Sequence, residues 1–162
     1  MVTRLLKHLF IPDALAHRAF PPSTLRAVEK AVKDSERLHR GEIRFVAEAS
    51  LSLPHLRMPL RKRAEALFGE LGVWDTEENS GVLLYVQLVD RRIEIVADRG
   101  IAARVPQKEW EAVCREMELA FRAQKYEEGS VKAIQAVTSI LAREFPARGA
   151  NPNELPDKPT LL

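Results

Sequence analysis

The stretch VLLYVQLVDRRIEIVA, residues 82–97, decides the fold. Its first half, Val82 to Val89, is an almost unbroken apolar run, the pattern of a strand covered on both faces. Asp90-Arg91 follows, and then Ile93, Ile95 and Ala97 alternate with other residues, so a two-residue connection joins two antiparallel strands. A buried hairpin needs apolar layers on both sides, and the flanking sequence supplies them. Upstream, Pro59 suits a first helical position, and Leu60, Ala64, Leu67, Phe68 and Leu71 recur at helical spacing over 59–71 before Gly72. Before that helix, Ile43, Phe45, Ala47 and Ala49 alternate with Arg44, Val46 and Glu48, a strand over 42–49 with one wetter face. Leu25, Val28, Val32 and Leu38 mark a helix over 23–39, with Ser23 as N-cap and Gly41 as its stop. Downstream, Pro106 opens a helix striped by Trp110, Val113, Met117 and Phe121. Ser130 caps a last helix through Ile134, Val137, Leu141 and Phe145 that Pro146 ends.

Helix, strand, helix, strand, strand, helix, helix is the order of an α/β fold, a three-layer α/β/α sandwich on a small mixed sheet. Residues 23–146 form this domain. Residues 1–22 are an N-terminal arm with an amphipathic stretch, Leu5, Leu6, Leu9 and Phe10, broken by Pro12, Pro21 and Pro22, and residues 147–162 are an extended C-terminal tail. The 162 residues are enough for one core, and an apolar share of 46% excludes a disordered chain. No apolar run approaches the roughly 20 residues of a membrane span. Twenty-five Lys and Arg against 23 Asp and Glu leave +2, too balanced for a dedicated nucleic-acid binder. One cysteine, Cys114, and the absence of a secretory signal over residues 1–20 point to the cytoplasm.

The helix over 59–71 makes strands 42–49 and 82–89 a parallel crossover pair, so both start at one pole of the sheet, where the hairpin also ends. Glu36, His39 and Glu42 reach that pole from one side. Asp75, Glu77, Glu78 and Asn79 reach it from the loop, and Asp98, Arg99 and Gly100 from the hairpin's exit. Carboxylates, an imidazole and an amide oxygen from three segments are hard ligands for a divalent cation. The same residues also suit a solvated rim, in which Glu36 and Glu42 are ordinary end charges, Asp75 caps a turn, Asp98 pairs with Arg99 or Arg104, and His39 meets the last helical carbonyls. Elsewhere the chemistry is sparse. Cys114 lies beside an apolar stripe as a structural thiol, no phosphate loop or nucleophile elbow is present, and His8, His17 and His55 have no partner pattern. Arg57, Arg61, Lys62 and Arg63 form a water-facing basic cluster, which as a docking face would make the chain an adaptor for acidic partners, and Trp74 reads as a lid over the sheet end.

Leu67-Phe68, Leu71 to Thr76, Asn79 to Val86, Asp90-Arg91 and Ala97 to Ile101 together resemble the TPM domain family, over roughly residues 23–145. The resemblance implies the sandwich described above and divalent-cation binding, calcium foremost, at acidic loops at one end of the sheet. Asn79 and Gly81 match the loop before the central strand, and Asp98, Arg99 and Gly100 occupy the family's glycine-x-glycine loop. Asp98 stands where many members have glycine, and Ala102 where they often have an acid. Family members include plant acid phosphatases and accessory factors of membrane complexes. The implied ligands are Glu42, Asp75, Asn79 and Asp98, with Glu36, His39, Glu78 and Arg99 in support, for calcium or else magnesium or zinc. The implied role is an accessory factor for an unidentified protein partner at a membrane complex, without nucleic acid and without a membrane span. The alternative is a metal-assisted phosphomonoesterase in which Asp75 or Glu42 positions water and Arg99 steadies developing charge.

Overall fold

The apolar run forms β2 (Gly81–Gln87), buried at every position, and pairs antiparallel with β3 (Arg92–Ala97) in the register Val82–Ala97 to Gln87–Arg92. The computed structural model describes Leu6, His8 and residues 12–149 and 152–162. The hairpin connection is four residues long, Leu88 to Arg91, with Arg91 taking the left-handed φ of 52° that the expected two-residue turn would have demanded twice. β1 (Glu42–Glu48) runs parallel to β2, Glu42 opposite Gly81 and Glu48 opposite Gln87.

Two-residue alternation sends Ile43, Phe45, Ala47, Val82, Leu84, Val86, Ile93 and Ile95 to one face. That face is covered by α1 (Pro12–Ala19), α2 (Pro22–Ser35), α6 (Gln107–Arg122) and α7 (Tyr126–Glu144). Val46, Leu83, Tyr85 and Val96 face the other way, onto α4 (Leu60–Glu70), Val73 and Leu155. Two one-turn helices also lie among the described residues: α3 (Leu53–Leu56) and α5 (Arg99–Ala102). Helices therefore lie on both faces of a mixed sheet, and the fold is α/β. The "wetter" face of β1 is mostly dry, since Val46 and Glu48 are buried there.

Several local expectations are corrected. Ser23 lies inside α2, which starts at Pro22 after Pro21 and has no side-chain cap. Pro59 is the N-cap of α4 and precedes its first helical residue. Ser130 does not start the last helix, which begins at Tyr126; the serine is wholly buried within it. Gly129 sits just before it because a Cβ there would come 2.8 Å from the Ala120 Cβ, so this glycine permits close helix packing. Pro12 opens α1 where a break was expected, and Phe20 inserts from the arm into the core, its ring 5.7 Å from that of Phe45. Of the amphipathic stretch, Leu6 is exposed and Leu5, Leu9 and Phe10 lie outside the described residues.

The tail makes the largest difference. It crosses the α4 side of β1, buries Leu155, and adds a fourth strand, β4 (Thr160–Leu161), parallel to β1, giving the order β3-β2-β1-β4. Arg44 holds it, donating to Pro156 O at 2.6 Å, Lys158 O at 2.9 Å and Thr160 Oγ1 at 2.6 Å. The described residues contain no helix long and apolar enough to cross a membrane.

Candidate functional site at one end of the sheet

The registers place Glu42, Gly81 and Asp98 in a row across three strands, with Glu42 N–H donating to Ser80 O (3.1 Å) and Asp98 N–H to Gly81 O (2.9 Å). The three segments do share one pole. Gly81 is required there because a Cβ would lie 1.9 Å from Val73 O, so the loop backbone passes directly over this strand start. That carbonyl stands between the Glu42 and Asp98 positions. The acidic pole therefore divides into two neighbourhoods.

The first is built by the loop and the hairpin exit. Asn79 takes a left-handed φ of 52°, a conformation asparagine tolerates, and the turn is fixed by Asn79 N–H on Thr76 O (3.2 Å) and Ser80 N–H on Thr76 Oγ1 (2.9 Å). Gly100 packs against it, donating to Asn79 O at 3.1 Å; a Cβ on Gly100 would sit 2.6 Å from both the Glu78 and Asn79 carbonyl oxygens. Asp98 is the N-cap of α5, its Oδ1 accepting from Arg99 N–H at 2.7 Å. Its Oδ2 is buried and meets no hydrogen-bond donor among the described residues. Arg99 Nε donates to Asn79 Oδ1 at 2.9 Å, and Arg40 pairs with Glu78. Asp75 is exposed in the same loop, its N–H on Gly72 O.

The second neighbourhood is built by the tail. Glu42 is 1% exposed and accepts the Glu154 N–H on Oε1 at 3.3 Å. Burial pushes its carboxyl up to about 7; the Glu154 and Leu155 N–H groups oppose that shift, and the charges of Glu154 and Asp157 add to it. Glu36 is pushed up to about 8, first by burial and then by its hydrogen bond and repulsion with Asp157 and the charge of Glu42. Glu154 also accepts the Glu77 N–H at 2.8 Å, tying tail to loop. His39 is fully buried where its backbone bridges to Pro146, and burial depresses its imidazole to about 4 against a hydrogen bond with the Gly41 backbone. It is a neutral core histidine.

Of the residues expected from sequence, Asn79, Asp98, Glu78 and Arg99 are brought together, Glu42 and Glu36 lie in the adjoining neighbourhood, and Asp75 stands in solvent at the loop. Among the described residues no group of three or more His, Cys, Asp and Glu side chains is gathered so as to hold a metal ion. Sequence reasoning missed Arg44, Glu154 and Asp157. The available signal was Arg44 itself, a cation on a strand face that needed acceptors, together with Leu155 and the Leu161–Leu162 pair as the large apolar residues of a polar tail.

The opposite pole holds polar structure of another kind. Glu48 is buried under three donors: Arg63 Nη2 on Oε1 (2.8 Å), Arg63 Nε on Oε2 (3.1 Å) and Tyr85 OH on Oε2 (2.5 Å). Arg63 is thus no part of a water-facing cluster. Its place three residues after Leu60 and four before Leu67, on the apolar stripe, foretold as much. His8 is buried, accepting Leu51 N–H on Nδ1 at 2.9 Å and pointing Nε2 at Asp90 (3.4 Å). Trp74 is 56% exposed and closes nothing. Burial pushes the Cys114 thiol up to about 12, with Glu94 and Glu118 adding, which suits a structural thiol.

The model of the TPM domain family matches residues 16–140. This chain belongs to the TPM domain family. Among solved structures it is similar to the BA42 protein from the psychrophilic bacterium Bizionia argentinensis, with 27% identity over 86% of this chain and 93% of that one and a TM-score of 0.77. Two others share the fold. The N-terminal domain of a protein from P. gingivalis has 22% identity over 75% and 76% of the two chains, TM-score 0.59. The N-terminal domain of the cg2496 protein from Corynebacterium glutamicum has 13% identity over 79% and 74%, TM-score 0.50. No curated protein matches the chain. The TPM match begins at residue 16, inside the arm, where Ala19 and Phe20 enter the core.

Proposed function

We propose that this TPM-domain chain is an accessory protein that binds a divalent cation at the acidic end of its sheet and uses the ion to order the 75–80 and 98–101 segments for a protein partner. The observation that carries the reading is Asp98 Oδ2, a buried carboxylate oxygen without a donor among the described residues, two residues before the Gly100 that packs against the Glu78 and Asn79 carbonyl oxygens. A buried anionic oxygen left unmatched is costly, and a cation would relieve it. Asp98 and the Glu78–Asn79 carbonyls would hold the ion, with Asp75 adding a carboxylate from the same loop; Glu42, expected as a ligand, lies in the adjoining neighbourhood with its carboxyl raised to about 7. These donors are all oxygen, which favours calcium, then magnesium, over zinc. The ion would supply charge neutralisation and loop order. The phosphomonoesterase alternative asks Arg99 to steady developing charge, whereas its Nε is engaged by Asn79 Oδ1 in ordering the loop, as Arg40 is by Glu78. Binding is therefore the better-supported reading. On this reading the protein works in the cytoplasm, a reducing compartment that suits a lone thiol, with its partner at a membrane complex.

Titration with calcium, magnesium and zinc, followed by amide chemical shifts, tests the site. Shifts are expected in 75–80 and 98–101, and a titration that leaves those amides unmoved refutes it. Asp98→Asn is the sharper variant, because asparagine caps a helix about as well as aspartate but carries no charge. It should fold normally and bind calcium more weakly by a factor of about 10 or more, the scale on which even supporting residues of metal sites act.

A further inference from the structure

The acidic end of the sheet has a counterpart at the other end, where the parallel strands β1 and β2 finish. Five segments gather there. α3 follows β1, and the hairpin connection 88–91 follows β2. The chain entering α4 meets the hairpin's exit across a cleft of about 520 Å³ that Met58, Arg61 and Arg92 line together. The arm arrives through His8, whose Nδ1 accepts the Leu51 N–H at 2.9 Å, and the tail through Leu162, whose carbonyl accepts the Ala49 N–H at 2.7 Å.

This end holds large apolar side chains in water. Leu53 is 60% exposed, Leu162 48%, Leu6 46% and Met58 36%, four of the seven such side chains among the described residues, so they are gathered and not scattered. α3 buries none of its residues, and the core therefore gives no reason for its leucines. The charges are sorted by depth. Lys62 and Arg92 are 66% and 57% exposed, and Arg57 and Arg91 are exposed as well, whereas Asp90, Glu94 and Glu118 are only 18%, 21% and 17% exposed. The recessed acids are also engaged: Asp90 faces His8, Glu118 pairs with Arg92 and Arg122, and Glu65 pairs with Arg61 and Lys62. What this end presents outward is aliphatic and cationic. The arm's sequence is of the same kind, with Arg4 and Lys7 set among Leu5, Leu6, Leu9 and Phe10.

We propose that this end of the molecule docks on an anionic bilayer surface, with Leu53 and Met58 entering the headgroup layer and Arg57, Lys62, Arg91 and Arg92 meeting lipid headgroup anions. The charge is complementary to such a surface, and a fluid layer accepts protruding aliphatic side chains of any outline, whereas a folded partner would need a matching shape. Apolar insertion and attraction to anionic lipid add to each other, and a peripheral protein needs both for firm attachment. The proposal takes from the proposed function only its membrane setting, and it leaves the acidic end turned away from the lipid.

The test is co-sedimentation of the full chain with vesicles of phosphatidylcholine alone and with about 30% phosphatidylserine, in EDTA at low salt. EDTA keeps the cation of the acidic end out of the measurement, so failure here leaves the cation reading standing, and a missing calcium response leaves this proposal standing. Wild type is expected to bind the phosphatidylserine vesicles about tenfold or more tighter than the neutral ones and to be released as salt is raised. Arg57→Ala/Lys62→Ala should weaken binding about 30-fold, the factor for two cations near an anionic leaflet. Leu53→Ser should weaken it about tenfold through lost insertion. Trp74→Ser, an exposed residue of the acidic end, should bind as wild type does. A wild type that ignores phosphatidylserine vesicles, or binds neutral ones equally well, overturns the proposal. So do Leu53→Ser and Arg57→Ala/Lys62→Ala proteins that are folded by circular dichroism and bind unchanged, or a Trp74→Ser protein that loses binding as they do. Capture by soluble polyglutamate without vesicle binding would assign this end to an acidic protein and overturns it too.

Discussion

Glu42 and Glu36 carry the chain's strongest pH signature. Both carboxyls are raised from 4.5, to about 7 and about 8, chiefly by burial. The folded state therefore holds protons that the unfolded state has released, and stability must fall as pH rises across that interval. The contribution is fully present below about 4.5 and is lost as pH climbs through the folded values. For Glu42, at 1.4 kcal/mol per unit, the loss is on the order of 3 kcal/mol. Melting temperature should decline from pH 5 to pH 8, and Glu42→Gln should flatten the lower part of that decline. A profile that rises over the same interval would mean that these carboxyls are ionised in the fold. Arg63 is the second test at this scale. Arg63→Met leaves the Glu48 carboxylate buried with Tyr85 alone and should cost about 3–5 kcal/mol in urea unfolding. Arg63→Met/Glu48→Gln should recover part of it, since no unpaired charge remains.

β4 shows how a two-residue strand is held without propensity of its own. The tail has no alternating run to announce it, and its register comes from Arg44, from Ala49 N–H on Leu162 O (2.7 Å), and from Leu162 N–H on Ala47 O (2.9 Å). Arg44→Ala should release it at a cost of about 2 kcal/mol, the scale of hydrogen bonds to a charged donor. Hydrogen exchange would show the Ala49 and Leu162 amides losing protection while β2 amides keep theirs. Loss of the tail should also rehydrate Glu42 and return its carboxyl toward 4.5, which joins this element to the pH profile. The same contrast explains what was legible in the sequence. The hairpin, the crossover and the pole rest on periodicity and on short connections, which are local, and they stand in the structure, the hairpin with a connection of four residues where two were expected. The tail's docking rests on contacts more than a hundred residues apart, such as Arg44 with Pro156 and Glu42 with Glu154, and no local pattern records them. The helix starts at Ser23 and Ser130 were misread because proline and lysine residues stand at the true starts, leaving the serines without a backbone group to cap.

At the scale of the whole molecule, the strands separate two polar regions with different duties. Seven-residue strands put the Glu48–Arg63–Tyr85 cluster about 20 Å from Asp98 and Glu42. One cluster is saturated with hydrogen bonds; the other retains an unmatched carboxylate oxygen. Sites so far apart and sharing no partner should act additively. If the acidic pole binds calcium, a hundredfold excess over the dissociation constant should stabilise the fold by about 2.7 kcal/mol. For a chain of this length that raises the melting temperature by roughly 5–10 °C. Asp98→Asn should keep the calcium-free melting temperature and lose the calcium-dependent rise. Arg63→Met should do the reverse, melting lower without calcium and rising by the wild-type increment with it. The crossed result, a calcium response that depends on Arg63 and ignores Asp98, would move the cation to the other end of the sheet.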